Sequence, residues 1–299
     1  MSAKPEVQHF LHEPTSTFSY VVWDPETRRA AVIDSVLNFD ESAGRLSTES
    51  ADAIIEFVRE RDLTVDWVLE THAHADHLAA GSHIKRELGG RTAIGEGIRA
   101  VQQHFKTVFN LERGYLTDGS PFDHLFADGE TFHVGNIPAR VIPTAGHTPD
   151  SVSYLIGDAV FVGDSLFMPD GGTARCDFPG GSAATLYESI TRLYELPDDT
   201  RLFVLHDYRP NGREYRWETT VGAQRRENIH VRDGVSSEEF VKVREERDAT
   251  LDLPGLIIPS VQVNIRGGEA PPPEDNGTRY IKIPVNREDG FTRNVPSQD

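Results

Sequence analysis

Short blocks of apolar residues alternate with polar turns along this chain, and they predict a regular succession of strands and helices. Thr17–Trp23 and Ala30–Asp34 read as two strands joined by the turn Asp24-Pro25-Glu26-Thr27. Ser50–Arg61 carries Ile54, Ile55 and Val58 on one helical face. Val65-Asp66-Trp67-Val68-Leu69 reads as a buried strand. Leu78–Leu88 is expected to be a helix stopped by Gly89-Gly90, and Ile98–Leu111 another. A second series of strands is expected at Thr131–Val134, Ala139–Pro143, Ser151–Ile156 and Ala159–Val162, followed by a helix over Ser182–Leu196. Ser236-Ser237-Glu238-Glu239 is a capping box that opens a helix running to about Asp248. Pro271-Pro272-Pro273 fits neither a helix nor a central strand and predicts an extended loop. The acidic stretch Asp118–Asp128 is expected to be a solvated loop. No internal repeat is visible.

The ends of the predicted strands hold the chemistry. After Leu69 comes Thr71-His72-Ala73-His74-Ala75-Asp76-His77, with imidazoles and a carboxylate clustered at a strand's C-terminal edge. That is the composition of a transition-metal site. Val141-Ile142-Pro143 runs into Thr144-Ala145-Gly146-His147-Thr148. Ala159–Val162 runs into Gly163-Asp164, and Leu202–Leu205 into His206-Asp207. Gly146 and Gly163 let the backbone approach closely without a Cβ clash. Each of these ligands alone would be ordinary; their recurrence at separate strand ends points to a metal.

The residues His72, His74, Asp76, His77, His147, Asp164 and His206 suffice for two metals, with Asp164 able to bridge. In that case a di-zinc hydrolase would be expected, its bridging hydroxide attacking a carbonyl. A subset instead gives two histidines and one carboxylate on a single iron, with positions left open for O₂ and a substrate atom. Counting ligands does not separate the two.

Composition narrows the setting. The chain has 299 residues, 37% of them hydrophobic and 15 of them Phe, enough for a sizeable core. No apolar run is long enough to span a membrane. Met1-Ser2-Ala3-Lys4-Pro5-Glu6 lacks a signal core and an Arg-rich amphipathic stretch, so a cytoplasmic protein without a processed leader is expected. One cysteine, Cys176, excludes an internal disulfide and a Cys-rich zinc site. A net charge of −18 argues against nucleic acid as a partner. A homodimer or higher homo-oligomer is left open.

The motif His72-x-His74-x-Asp76-His77, followed by His147, Asp164 and His206, resembles the metallo-β-lactamase superfamily. The resemblance implies an α/β (α+β) fold, an αββα four-layer sandwich. It also implies one domain over 1–299, with a core at about 15–235 and a C-terminal helical and extended segment at about 236–299. Further stretches resemble the persulfide dioxygenase branch: Gly163-Asp164-Ser165-Leu166-Phe167, Ala174-Arg175-Cys176-Asp177-Phe178, His206-Asp207-Tyr208, and Thr219-Thr220-Val221 with Arg225 and Asn228. The long connection between Thr92 and Val141 and the long segment Arg209–Trp217 look like its bacterial, type II-like members. By this resemblance one Fe(II) per chain is held by His72, His147 and Asp164. His74, Asp76, His77 and His206 then surround those ligands and orient them. The expected reaction oxidises glutathione persulfide with O₂ and water to sulfite and glutathione. A glyoxalase II-like thioester hydrolase with two zincs is the alternative, and a non-catalytic metal-binding protein a third reading.

Glutathione carries two carboxylates, and arginine forks suit carboxylates. Arg175 follows Asp164, and Arg213, Tyr215 and Arg225 follow His206. With Tyr208, these are the residues expected to bind substrate.

Overall fold

A computed structural model describes residues 4–286, so the expectations placed on Met1-Ser2-Ala3 and on the last part of the 236–299 segment lie outside the described residues. The strands of the first half are β1 (Glu6–His12), β2 (Thr17–Trp23), β3 (Arg29–Ile33), β4 (Val36–Asp40), β5 (Arg45–Ser47), β6 (Thr64–Leu69), β7 (Leu78–Ala79), β8 (Arg91–Gly95) and β9 (His124–Phe126). Those of the second half are β10 (Thr131–Val134), β11 (Ile137–Pro143), β12 (Val152–Ile156), β13 (Ala159–Phe161), β14 (Arg201–Phe203) and β15 (Glu218–Thr220). The helices are α1 (Glu49–Glu60), α2 (Gly81–Leu88), α3 (Ile98–Val108), α4 (Ala183–Leu193), α5 (Val221–Glu227), α6 (Ser237–Asp248) and α7 (Ile257–Asn264).

Two mixed six-stranded sheets result, β1-β2-β3-β6-β8-β9 and β10-β11-β12-β13-β14-β15, with a small sheet β5-β4-β7 beside them. Phe18, Tyr20, Ile33, Leu69 and Phe126 of the first sheet meet Val141, Tyr154, Phe161 and Phe203 of the second in one buried layer. Burying each such side chain is worth about 1.5–3 kcal/mol, so this layer holds the sheets face to face. The outer face of the first sheet is covered by Ile54, Ile55 and Val58 of α1 and Ile84 of α2. Leu186, Ile190 and Leu193 of α4 cover the second sheet, with Phe240 of α6 packed in the same cluster. This is the αββα sandwich.

Three sequence expectations change. Leu78-Ala79 is not the first turn of a helix: it pairs with Val36-Leu37 as β7, and α2 begins at Gly81. The stretch Asp118–Asp128 is not all solvated loop. It contains β9, paired in parallel with β8, and buries Phe122 and Phe126. Short helices α5 and α7 appear where no helix was expected, while Ser236 forms its capping box as read. No helix among the described residues is long and apolar enough to cross a membrane.

Candidate metal centre

The strand ends converge because of sheet direction. β6 runs parallel to β3 and β8, and β13 parallel to β14, so their C-terminal ends come out at a common edge. Cross-sheet hydrogen bonds tie the connecting loops together there. Thr71 O accepts from Val152 N at 2.9 Å, Tyr154 Oη donates to Glu70 O at 2.8 Å, and Ala73 N donates to Asp150 Oδ2 at 2.7 Å. Two glycines make the crowding possible. A Cβ on Gly146, at φ 138°, would fall 2.4 Å from the Leu186 backbone; one on Gly163, at φ 51°, would fall 2.6 Å from Thr71 Oγ1.

His72, His147 and Asp164 meet at this edge, with one ligand atom each lying within 4.8 Å of the others. Asp164 Oδ2 is 3.4 Å from His147 Nε2 and 3.8 Å from His72 Nε2. All three residues are buried, yet His72 Nε2 and Asp164 Oδ1 have no hydrogen-bond partner. Buried polar atoms are normally satisfied, so this convergence of unpartnered nitrogen and oxygen atoms fits a cation. Both imidazoles are oriented from behind. His147 Nδ1–H donates to Arg175 O at 2.6 Å, which leaves Nε2 as the lone-pair nitrogen. His72 Nδ1 lies 3.1 Å from Thr71 Oγ1, and that hydroxyl donates to Asp34 Oδ2 at 3.0 Å. Burial, reinforced by the neighbouring imidazoles, holds His72 well below the ordinary histidine pKa; burial raises Asp164.

A second group, Asp76, His77 and His206, adjoins the first. His206 Nε2 lies 3.2 Å from Asp76 Oδ2 and 3.4 Å from Asp164 Oδ1. Burial lowers His77 to about 4. Burial works to raise Asp76, but the His206 and His77 imidazoles outweigh it and hold the carboxyl well below its usual range.

His74 turns its Nε2 to two carboxylates, while its Nδ1 is buried without a partner. Its Nε2 sits 3.1 Å from Glu70 Oε2 and 3.2 Å from Asp34 Oδ1, forming a third buried group. Burial disfavours its charge, but the two carboxylates outweigh that and raise its pKa well above the ordinary value. Burial also raises Glu70, to about 7. Asn264, at the end of α7, donates to His74 O at 2.7 Å and His77 O at 2.8 Å, and its Oδ1 accepts from Ala79 N. Asp34, Glu70, Asp150 and Asn264 were not singled out from the sequence. Only Asp34 had a signal: Ile33-Asp34 ends a strand as Val162-Gly163-Asp164 does.

A cavity of about 630 Å³ opens onto Asp164, His147 and Asp76. Of the residues expected to bind substrate, Arg175 and Tyr208 line it. The Arg175 fork is taken up by Asp177 at 2.6 Å, and its third nitrogen by Asp252 O. Tyr208 stacks over His206 at the mouth, 58% exposed. Arg213, Tyr215 and Arg225 stand outside the cavity lining. Arg213 is engaged by Asp170 and Asp207, Arg225 by Asp198 and Asp233, and Tyr215 packs on Phe18. Two arginines of α6 line the cavity instead. Arg244 is buried against Asp248 at 2.7 Å; Arg247 is exposed and makes no hydrogen bond or ion pair through its guanidinium among the described residues.

A sandwich of this layering with histidine-rich loops at one edge defines a class, and the chain belongs to it: residues 12–206 match the metallo-beta-lactamase superfamily. Within the class, the chain is 50% identical to Glyoxylase B2 of Dictyostelium discoideum over 96% of its own length and 99% of that protein's. It is 50% identical to a beta-lactamase hydrolase-like protein of Xylella fastidiosa, covering 96% of this chain and 66% of that longer protein. The mitochondrial persulfide dioxygenase ETHE1 of Bos taurus is 28% identical over 91% of this chain and 92% of that protein. Among solved structures, ETHE1 from Myxococcus xanthus superposes with a TM-score of 0.70 at 32% identity, over 88% of this chain and 100% of that one. The protein is an enzyme of this superfamily with a metal-binding site.

Proposed function

We propose that the protein is a persulfide dioxygenase that uses one Fe(II) per chain to oxidise glutathione persulfide with O₂ and water to sulfite and glutathione. The observation that carries this reading is the buried convergence of His72, His147 and Asp164, where His72 Nε2 and Asp164 Oδ1 have no hydrogen-bond partner. That set is two histidines and one carboxylate, and His147 and Asp164 face the cavity. Iron bound there would supply a redox-active cation with positions open to O₂ and to the persulfide sulfur. The likeness to ETHE1 of Myxococcus xanthus and to the bovine persulfide dioxygenase supports the same reading.

The chain's own residues do the positioning. Arg175 O fixes the His147 tautomer, and Thr71 with Asp34 fixes His72. Phe167 and Phe178 line the cavity and reduce the water around the reacting sulfur. Arg247, uncommitted at the cavity wall on a chain of net charge −18, is the cation for a glutathione carboxylate. Asp76, His77 and His206 form a charged rim beside Asp164.

A second reading, a di-zinc thioester hydrolase, is favoured by one feature. Asp164 Oδ1 of the first group lies 3.4 Å from His206 Nε2 of the Asp76–His77–His206 group, close enough for a bridged pair. The similarity to Glyoxylase B2 points the same way. Elemental analysis of anaerobically purified protein, paired with an oxygen electrode, separates the two. We expect one iron per chain and O₂ uptake on adding glutathione persulfide. Both should be lost together in His147→Ala and in Asp164→Ala, with the circular dichroism of the sandwich retained. Two zincs, no O₂ uptake and cleavage of S-lactoylglutathione would establish the hydrolase instead.

A further inference from the structure

The residues that α6 and its tail bring to the cavity recur at helical spacing. Arg244 and Arg247 are three apart, and Leu251 follows four further on. Hydrogen bonds from Thr250 N to Arg247 O and from Leu251 N to Asp248 O carry the turn past the end of α6. The chain beyond is tied down: Arg175 donates to Asp252 O at 2.6 Å, and Ile257 N donates to Pro254 O at 3.1 Å. Leu251, Pro254 and Leu256 of this tail, with Phe167 and Phe178, give the cavity an apolar lining. Its three guanidinium groups are not equivalent. Arg175 is engaged by Asp177, and Arg244 by Asp248 and by Thr173 O at 3.1 Å. Turning Arg244 to a ligand would leave the buried carboxylate of Asp248 without its cation, which is costly. Arg247 has no such commitment, and no lysine lines the cavity. A dicarboxylate entering here meets one free cation and a largely apolar wall.

We propose that the cavity reads one carboxylate and one apolar arm, so that its substrate class is the persulfides of monocarboxylate thiols with an apolar body, such as N-acylcysteine persulfides. Glutathione persulfide is accepted through one of its two carboxylates, and the other stays in water. Arg247 holds the carboxylate, and Leu251 covers the apolar arm. The inference rests on the dioxygenase reading for the persulfide and on the cavity lining for the rest of the molecule. The reaction is the same for every carrier: the outer sulfur is oxidised to sulfite with two oxygen atoms from O₂ and one from water, O₂ is reduced, and the carrier leaves as its thiol.

The test separates binding from turnover. S-methyl thioethers, which carry no persulfide, are titrated calorimetrically into the full chain with its metal bound. Starting from S-methylglutathione, the glycine carboxylate is blocked as its ethyl ester, and the γ-glutamyl carboxylate is removed in N-acetyl-S-methylcysteinylglycine. One change should weaken binding about tenfold or more and the other less than about twofold, since a hydrogen bond to a charged group has that size and water replaces none of it for the second. The tenfold loss should disappear in Arg247→Gln. Extending N-acetyl-S-methylcysteine to its N-hexanoyl homologue should tighten binding about tenfold or more, each fully buried CH₂ being worth close to fourfold. Leu251→Ser should lose most of that gain; Arg247 and Leu251 are both exposed, so neither change threatens the fold. In the oxygen electrode, N-hexanoylcysteine persulfide should be consumed with a kcat/KM at or above that of glutathione persulfide. Large losses from both carboxylates or from neither overturn the proposal, as does a hexanoyl arm that adds nothing or a gain untouched by Leu251→Ser. O₂ uptake with glutathione persulfide but with no N-acylcysteine persulfide also overturns it and leaves the dioxygenase reading intact. The expected binding pattern with no O₂ uptake from any persulfide would sink the dioxygenase reading while the single carboxylate position stands.

Discussion

Replacing Asn264 by alanine should both destabilise the chain and loosen its metal site. The Asn264 carboxamide is buried and satisfies three backbone groups at once: the carbonyls of His74 and His77 and the N–H of Ala79. Each such bond contributes about 1 kcal/mol net, and a buried group left without its partner costs about 1–3 kcal/mol. The Ala79 N–H is the costlier orphan, because the carbonyls keep a second lone pair. Together these give a loss of about 3–5 kcal/mol, or roughly 6–15 °C in Tm at about 2–3 °C per kcal/mol for a large domain. Melting should be followed on metal-free protein, since bound metal would add its own stabilisation. The second consequence is local. The two carbonyls belong to the loop that carries His72, so metal affinity should fall by about 10–100-fold, the range found when groups supporting ligands are removed. Asn264→Asp separates the parts: it can still accept from Ala79 N but sets a carboxylate against two carbonyls. It should melt no higher than the alanine variant. A Tm within about 2 °C of wild type for Asn264→Ala, with metal affinity unchanged, would refute the reasoning.

Three further outcomes follow from the same contacts. Arg247→Glu should raise KM for glutathione persulfide by about tenfold or more, a loss of about 1.4 kcal/mol, without changing iron content, whereas Arg225→Ala should leave KM alone; steady-state O₂ uptake reads both. Thr71→Val removes the hydroxyl between Asp34 and His72 Nδ1 and should weaken metal binding by about tenfold, measured by chelator competition. His230 is lowered to about 4 by burial, with Arg244 adding to it, and its Nδ1 accepts from Thr173 N at 3.1 Å. Its folded pKa lies below the ordinary 6.5, so its contribution to stability is complete above about pH 6.5 and is lost as pH falls from there towards 4; urea midpoints across that window should fall less steeply in His230→Gln.

The clustering of ligand-type residues at one edge was legible because its signal is local. His72, His147, Asp164 and His206 each follow an apolar run, and the rule that parallel strands end at one edge needs only the order of those runs. Strand β2 and the Ser236 capping box were legible for the same reason. What failed depended on distant partners. Leu78-Ala79 has a helical neighbourhood in sequence, but pairing with Val36-Leu37 overrides it. β9 is three residues long amid charges, too short to show a period, and exists because β8 offers it an edge. Asn264 ends a short apolar helix with Pro259 in its first turn, too short for periodicity to distinguish helix from strand.

The arginines make the sharpest contrast. Arg213 and Arg225 cluster near His206 in sequence, which suggested an anion pocket, but a cation's role is set by the carboxylates around it. Asp170 reaches Arg213 from the loop after Phe167, and Asp198 reaches Arg225 from beyond α4. Both side chains are thereby neutralised within the protein. Arg247 lies well away in sequence from every expected ligand, on α6, and α6 packs in the same cluster as α4 over the second sheet. That packing carries Arg247 to the cavity wall, where its guanidinium makes no ion pair among the described residues; its helical neighbour Asp248 is turned inward to Arg244. Under the proposed function, the cation that meets the substrate is a charge left over after internal pairing, a quantity fixed only by the tertiary fold.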